Sequence, residues 1–513
     1  MKLGNLLKML VMTFLVATGP NLYKVQAASV ATGVAQTQKV HDEHAGHTHA
    51  ATEDHSGHDH AHAHTEAGHE KDHGGHHGPI KDLSPFWCIP FALMLLSIAI
   101  LPLFAEHWWE ENSNKMKVAV PLGLIVGVYL VGAYGSQGMA LIQHSVIEYI
   151  QFICLLGSLY IISGGIVVKG SMVGTPKFNA TVLALGAAIA SIVGTTGASM
   201  LLIRPIIRAN VARKHVVHIF IFFIFMVSNC GGLLTPLGDP PLFLGFLKGV
   251  PFEWTLNLWK PWLFVNGILL IIFFVWDSIV YKKEEFIEEI KVVEKEPFKL
   301  EGTLNFVWLA GVVFSVAFLT PDFLAKLGVH PMGREVVMIV LIGLSLQMTS
   351  KELREYNQFN YHPIIEVAVL FVGIFVTMIP AINTLQLMGP ALGVTQPAQF
   401  FWFTGILSSF LDNAPTYVVF YELAGTLGLS TELYGPVIAN NVPHTILAAI
   451  SMGAVFMGAN SYIGNGPNFM VKAIAEQSGI KMPSFFGYMA YSVGILIPVF
   501  LLVHYIFITL KML

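Results

Sequence analysis

Charge is what this 513-residue sequence has least of. Lys plus Arg number 28 and Asp plus Glu 32, so charged residues make up 12% of the chain, against about 25% in a typical soluble domain. That scarcity excludes a soluble enzyme of ordinary make-up, a disordered scaffold and a coiled coil. Cysteine is nearly missing too. Cys88, Cys154 and Cys230 each lie inside an apolar segment, which leaves no disulfide framework and no CxxC metal motif. A formal net charge of −4 offers no basic footprint, so nucleic acid is not an expected partner. What fills the chain instead is apolar: 54% hydrophobic residues, 36 Phe, 47 Gly and a mean hydropathy of +0.64. The lipid bilayer is the expected partner, and an all-α polytopic membrane protein the expected class.

One segment departs from that composition. Of 21 histidines, 13 fall between His41 and His77. Ahead of them, Lys2 and Lys8 precede an apolar run from Met9 to Ala17, broken by Gly19-Pro20 and followed by Val25-Gln26-Ala27. That layout reads as a signal peptide over residues 1–27. Residues 28–83 show no apolar periodicity and read as a disordered, extracytoplasmic His-rich tail. Its HxH and HxxH spacings, with His47, His49, His58, His60, His62 and His64 as the best candidates, suit loose binding of Zn, Ni or Cu. No fixed four-ligand geometry follows from such a tract.

The apolar remainder divides at a charged linker, 281–302, into a first membrane repeat (84–280) and a second (303–513). Ten segments, possibly eleven, are long enough to span. Two further stretches, 179–208 and 397–424, are broken near their middles. Each is too short for two full spans and suits a re-entrant hairpin. Basic residues test this: Arg204, Arg208, Arg213 and Lys214 follow the first hairpin, Lys282 and Lys283 open the linker, and Lys351 and Arg354 lie in a later loop. All three loops fall on the cytoplasmic side only if 179–208 is re-entrant. The tail then lies outside a bacterial-type inner membrane. His444 and His504, in apolar surroundings, read as satisfied core histidines.

Backbone leaves helical form inside a membrane only where it lines a cavity or is buried in protein. Four such breaks occur: Gly194-Thr195-Thr196-Gly197-Ala198-Ser199, Ser228 to Pro241, Asp412-Asn413-Ala414-Pro415-Thr416, and Gly458 to Asn468. Leu237-Gly238-Asp239-Pro240-Pro241 in one half resembles Ile463-Gly464-Asn465-Gly466-Pro467 in the other. Broken helices at matching positions point to a transporter's substrate site, built on an inverted repeat. A hard monovalent cation wants oxygen ligands, and the breaks supply hydroxyls, amides, freed carbonyls and two acids. Asp239 and Asp412 are the expected titrating pair, since an intramembrane carboxylate costs at least ~2.5 kcal/mol and is a functional candidate by default. Asn413, Ser228, Asn229, Thr235, Asn460, Ser461, Asn465, Thr195, Thr196, Ser199 and Thr416 complete the candidate set, with Glu148 and Glu366 nearer helix ends. For Glu366 the structural alternative is pairing with a nearby base.

These segments resemble NhaD-type sodium/proton antiporters of the ion transporter superfamily. The resemblance rests on Ser228 to Val250, on the Gly194–Ser199 tip with Leu202-Ile203-Arg204-Pro205, on Ile365-Glu366-Val367-Ala368, and on Leu411 to Tyr417. It covers about residues 85–510 and leaves out the tail. It implies export of Na⁺ or Li⁺ against proton entry, a two-hairpin fold, and a homodimer. No enzyme activity and no cofactor beyond the transported ions is expected. The rivals are a sodium-coupled carboxylate or oxyanion symporter on the same fold and a divalent metal carrier fed by the tail.

Overall fold

The computed structural model describes residues 80–170, 172–284 and 299–513. The signal peptide, the tail histidines and most of the charged linker lie outside the described residues. The fold is all-α, and seven of its helical stretches are long and apolar enough to cross a membrane.

Each repeat runs through three transits, a hairpin, a broken helix and a final transit. In the first, α1 (Ile89–Phe104) begins with Pro90 in its first turn. α2 (Asn112–Ser163) is nominally 52 residues long, yet Gly135 within it has φ 54° and ψ −120°. The chain doubles back there. A Cβ on Gly127 would touch Ile142, and one on Gly138 would overlap the Leu130 carbonyl, contacts a straight helix cannot make. So α2 is two antiparallel transits joined without a loop. The second transit is bolted to α10 (His362–Met388): Ser145 Oγ donates to the Phe375 carbonyl at 2.7 Å and Tyr149 Oη to the Ala368 carbonyl at 2.8 Å.

The first hairpin comprises α3 (Pro176–Val193) and α4 (Thr195–Ala209), hinged at Gly194. Thr175 caps α3 by accepting from the Phe178 N–H, with Pro176 at the first helical position. The two arms meet again at their base. Gly174 N–H donates to the Ala209 carbonyl at 2.7 Å, and the Asn179 and Asn210 amides exchange hydrogen bonds. The segment therefore enters and leaves on one side. The broken helix follows as α5 (Val217–Met226) and α6 (Pro240–Leu247), then α7 (Trp259–Tyr281) closes the repeat.

The second repeat has the same order: α8 (Leu304–Phe318), α9 (Gly333–Met348), α10, the hairpin α11 (Pro397–Phe410) and α12 (Asn413–Gly425), the broken pair α13 (His444–Met457) and α14 (Gly466–Gln477), and α15 (Phe485–Val503). A T-shaped ring contact between Phe400 and Phe420, 6.4 Å between centroids, packs the second hairpin's arms together. Two small ribbons went unanticipated. β1 (Val167–Lys169) pairs antiparallel with β2 (Lys299–Glu301), and Val437–Ala439 pairs with Val442–Pro443.

Apart from His218, α5 is apolar all round, and it is buried from His218 to its end, as a helix enclosed by protein should be. It and α13 form the interior of the molecule. The helices facing lipid keep large exposed apolar side chains such as Leu124, Val128 and Ile271.

Candidate ion-binding site

The two breaks are held open by the same device. Gly238 passes so close to Gly232 that a Cβ would sit 2.1 Å from the Gly232 carbonyl oxygen. Gly464 meets Gly458 in the same way, at 2.5 Å. Each break is then tied to a hairpin arm by a hydroxyl. Thr235 Oγ1 donates to the Ser191 carbonyl at 2.5 Å and accepts from Leu237 N–H. Ser461 Oγ donates to the Ser409 carbonyl and accepts from Ile463 N–H. The equivalences Ser191/Ser409, Thr235/Ser461 and Asp239/Asn465 follow. Thr235 and Ser461 thus fasten the backbone, and Asn460 Nδ2 adds a bond to Ser409 Oγ at 2.9 Å.

Asp239 lies where these parts converge and is 1% exposed. Its Oδ1 accepts from Thr195 Oγ1 at 2.9 Å, on the first hairpin tip, and from Asn465 Nδ2 at 3.0 Å, in the opposite break. Its Oδ2 accepts from Asn413 Nδ2 at 2.6 Å, on the second tip. Thr195 and Asn413 are the first residues of α4 and α12. Asp239 and Asn465 precede the first residues of α6 and α14. Four helix N-termini therefore meet at one carboxylate. Each carries roughly half a positive charge, so dipoles and amides compensate the anion instead of a cationic side chain. No Lys, Arg or His lies within ion-pair distance of Asp239 among the described residues.

A second layer steadies the first. Asn465 Nδ2 also reaches Asn229 Oδ1 and the Ser228 carbonyl, both at 3.2 Å. Asn229 Nδ2 donates to Asn468 Oδ1 at 2.6 Å, and Asn468 spends its own amide hydrogens on the Gly458 and Ser461 carbonyls. Ser199 and Ser228 share a hydrogen bond at 2.8 Å. Asn413 Oδ1 and Asn460 Oδ1 are buried acceptors with no donor. Ser191, Ser409 and Asn468 were missed as site residues. Asn468 lay in plain view at the end of the fourth break, whereas the two serines sit inside ordinary helical sequence.

The other candidates make no direct hydrogen bond to the Asp239 carboxylate. The Asp412 carboxylate caps its own helix by accepting from Ala414 N–H at 3.0 Å, and Thr416 Oγ1 donates to the Asp412 carbonyl at 2.9 Å. Thr196 is half-buried next to Thr195. Glu148 meets Lys248 at 3.5 Å and His144 at 3.4 Å, and Lys248 bonds Glu422 at 2.9 Å. Glu366 pairs with Lys115 at 2.9 Å, which is the structural alternative foreseen for it. Neither glutamate contacts Asp239. His444 and His504 accept from the indoles of Trp254 and Trp402 at 3.1 and 3.3 Å. Among the described residues, no group of three His, Cys, Asp or Glu gathers as metal ligands.

A family model described as "Putative citrate transport" matches residues 80–508. The chain belongs to this family. Membership makes it a transporter embedded by multiple spans, and the matched segment covers both hairpins and both breaks. The family's description names a carboxylate and so does not bear out the finer resemblance to sodium/proton antiporters. No curated protein matches the chain.

Proposed function

We propose that the protein is a secondary transporter that exports Na⁺ or Li⁺ in exchange for protons, with Asp239 carrying either the cation or the proton. One observation supports this above the others. The place where four helix N-termini could hold a substrate's carboxylate is filled by the chain's own carboxylate. A second anion brought there meets Asp239's charge, whereas a cation or a proton neutralises it. Oxygen ligands for the cation are at hand: the Asp239 carboxylate, the donorless Asn413 Oδ1, and the Ser228 carbonyl, which meets the same Asn465 amide that bonds Asp239. Proton and cation compete for one carboxylate, which is the minimum requirement for exchange. Asp412, adjacent to Asn413 at the second tip, is the proposed second acid.

A sodium-coupled carboxylate symporter is the second reading. The family's description favours it, and so do the convergent N-termini once Asp239 holds a proton. The two readings part on one variant, Asp239→Asn. Inverted vesicles loaded with a ΔpH-sensitive dye report Na⁺-driven dequenching, and uptake of radiolabelled citrate reports symport. Antiport requires Na⁺-driven dequenching in the wild type and none in Asp239→Asn. Citrate uptake without a Na⁺-driven ΔpH response, surviving in the variant, would overturn the antiport reading.

A further inference from the structure

Arg204 is a charge that ion exchange at Asp239 does not use. It lies on the outgoing arm of the first hairpin, near the base that Gly174 and Ala209 close, and is 8% exposed. The other buried guanidiniums hold a carboxylate or make short hydrogen bonds, although the Nε of Arg213 and of Arg354 also lacks a hydrogen-bond acceptor. Arg213 holds Asp277, Arg334 holds Glu335, and Arg354 donates to the Ile161 carbonyl and to Ser345 Oγ, both at 2.8 Å. Arg204 has no carboxylate within ion-pair distance among the described residues. Its Nε reaches Gln358 Oε1 at 3.4 Å and its Nη2 reaches the Gln358 carbonyl at 3.3 Å, while Nη1 is buried with no acceptor.

Those two contacts have the pattern of a ligand. Nε and Nη2 form one edge of the guanidinium fork, which a carboxylate or phosphate takes bidentately with bonds of about 2.7–2.9 Å. Gln358 presents two oxygens to that edge, but they are neutral and distant. It does so from φ 46°, a left-handed conformation that a residue with a Cβ adopts only under strain. A strained, neutral residue thus stands in for a charged partner. The surroundings add positive charge: Arg208 and Lys169 both lie over the Tyr356 ring, at 5.1 and 4.7 Å, and Lys169 alone of these has a carboxylate, Glu301.

The geometry points to an oxyanion site at Arg204, taking a phosphate or carboxylate group when Gln358 swings aside. The same chemistry is offered by an anionic lipid headgroup at the membrane surface and by a soluble oxyanion. Purified full-length protein in neutral detergent distinguishes them by melting temperature. One arm titrates phosphatidylglycerol against phosphatidylcholine, and the other titrates inorganic phosphate and citrate against chloride at equal ionic strength. A melting temperature that climbs with the logarithm of ligand concentration marks binding to the folded state. A rise with phosphatidylglycerol alone identifies a lipid, and a rise with phosphate or citrate a soluble anion. Arg204→Gln must lose that rise, and Arg204→Lys, which keeps the charge without the fork, must reduce it. Gln358→Gly, which removes the stand-in and its strain, must bring the response to lower concentrations. No rise in either arm, or an unchanged rise in Arg204→Gln, overturns the assignment. Should Arg204→Gln not fold, an unchanged response in both Arg204→Lys and Gln358→Gly overturns it equally.

Discussion

Replacing Asn465 by Asp puts a second carboxylate at the position that mirrors Asp239. In the native protein Asn465 Nδ2 lies 3.0 Å from Asp239 Oδ1, so the variant sets two carboxylate oxygens at about that separation. With an effective dielectric of about 20, two unit charges so placed repel by about 5 kcal/mol. The Asn229 Oδ1 and Ser228 carbonyl acceptors lose their donor as well. Both carboxylates cannot stay ionised and empty together. The variant is expected to keep a proton or a cation lodged between them. If a quarter of the repulsion is relieved by bound Na⁺, the half-saturating Na⁺ concentration falls about tenfold, since 1.4 kcal/mol is one decade. Turnover drops, because release restores the repulsion. The assay is Na⁺-driven dequenching in inverted vesicles, titrated over Na⁺ at fixed pH, with Asn465→Ala as the control that removes the donor without adding charge. An Asn465→Asp protein with wild-type half-saturation and full turnover would refute the reasoning, and with it the idea that Asp239 and Asn465 share one ion.

Three further outcomes are expected. Asp277→Asn takes from the buried Arg213 guanidinium its nearest carboxylate, now 2.5 Å away, and leaves it Glu284 at 3.7 Å; unfolding free energy should fall by at most about 3 kcal/mol, the low end of the loss for a fully broken buried pair, and a melting temperature equal to wild type would contradict this. Gly238→Ala drives a methyl into the Gly232 carbonyl and should destabilise by about 1–3 kcal/mol and abolish transport. Gly343→Ala, which meets nothing within 4 Å, should leave both unchanged. The third concerns pH. Burial works against ionised Glu284, but the N–H groups of Lys214 and His215 and the Arg213 guanidinium more than offset it and hold its carboxyl below the usual range. A lowered carboxyl stabilises the fold above the ordinary titration near about pH 4.3, and that contribution disappears as pH falls through the folded value. Amide-exchange protection at Lys214 and His215, corrected for intrinsic rates, should decline on acidification in wild type and stay flat in Glu284→Gln.

What could be read from the sequence was whatever breaks an apolar run. Gly194, Asp412 and the Gly238/Gly464 pair announce themselves because a helix in lipid tolerates such residues only for a reason. Hence the two hairpins, the two broken helices and their matching order were legible, and with them the class of the fold. Long-range charge pairing was not. Nothing near Arg213 in sequence names Asp277 as its partner, and nothing near Glu148 names Lys248, because those contacts depend on which helices become neighbours. The same limit hid the different situations of the two candidate acids. Sequence treats Asp239 and Asp412 alike, each inside a break. In three dimensions Asp239 gathers donors from three other segments, while Asp412 turns back to its own helix. Short ribbons such as β1 with β2 are too brief to register as strand periodicity.

That ribbon also has a bearing on the order of folding. Val167–Lys169 and Lys299–Glu301 belong to segments separated by the whole first hairpin, the first broken helix and α7. Pairing them closes a very long loop, and the entropy of closure must be met before the few strand bonds return anything. Helix insertion and local hairpin docking carry no such delay. The ribbon therefore forms late, after its intervening elements have condensed, and acts as a clasp that registers completion of the first repeat as the second emerges.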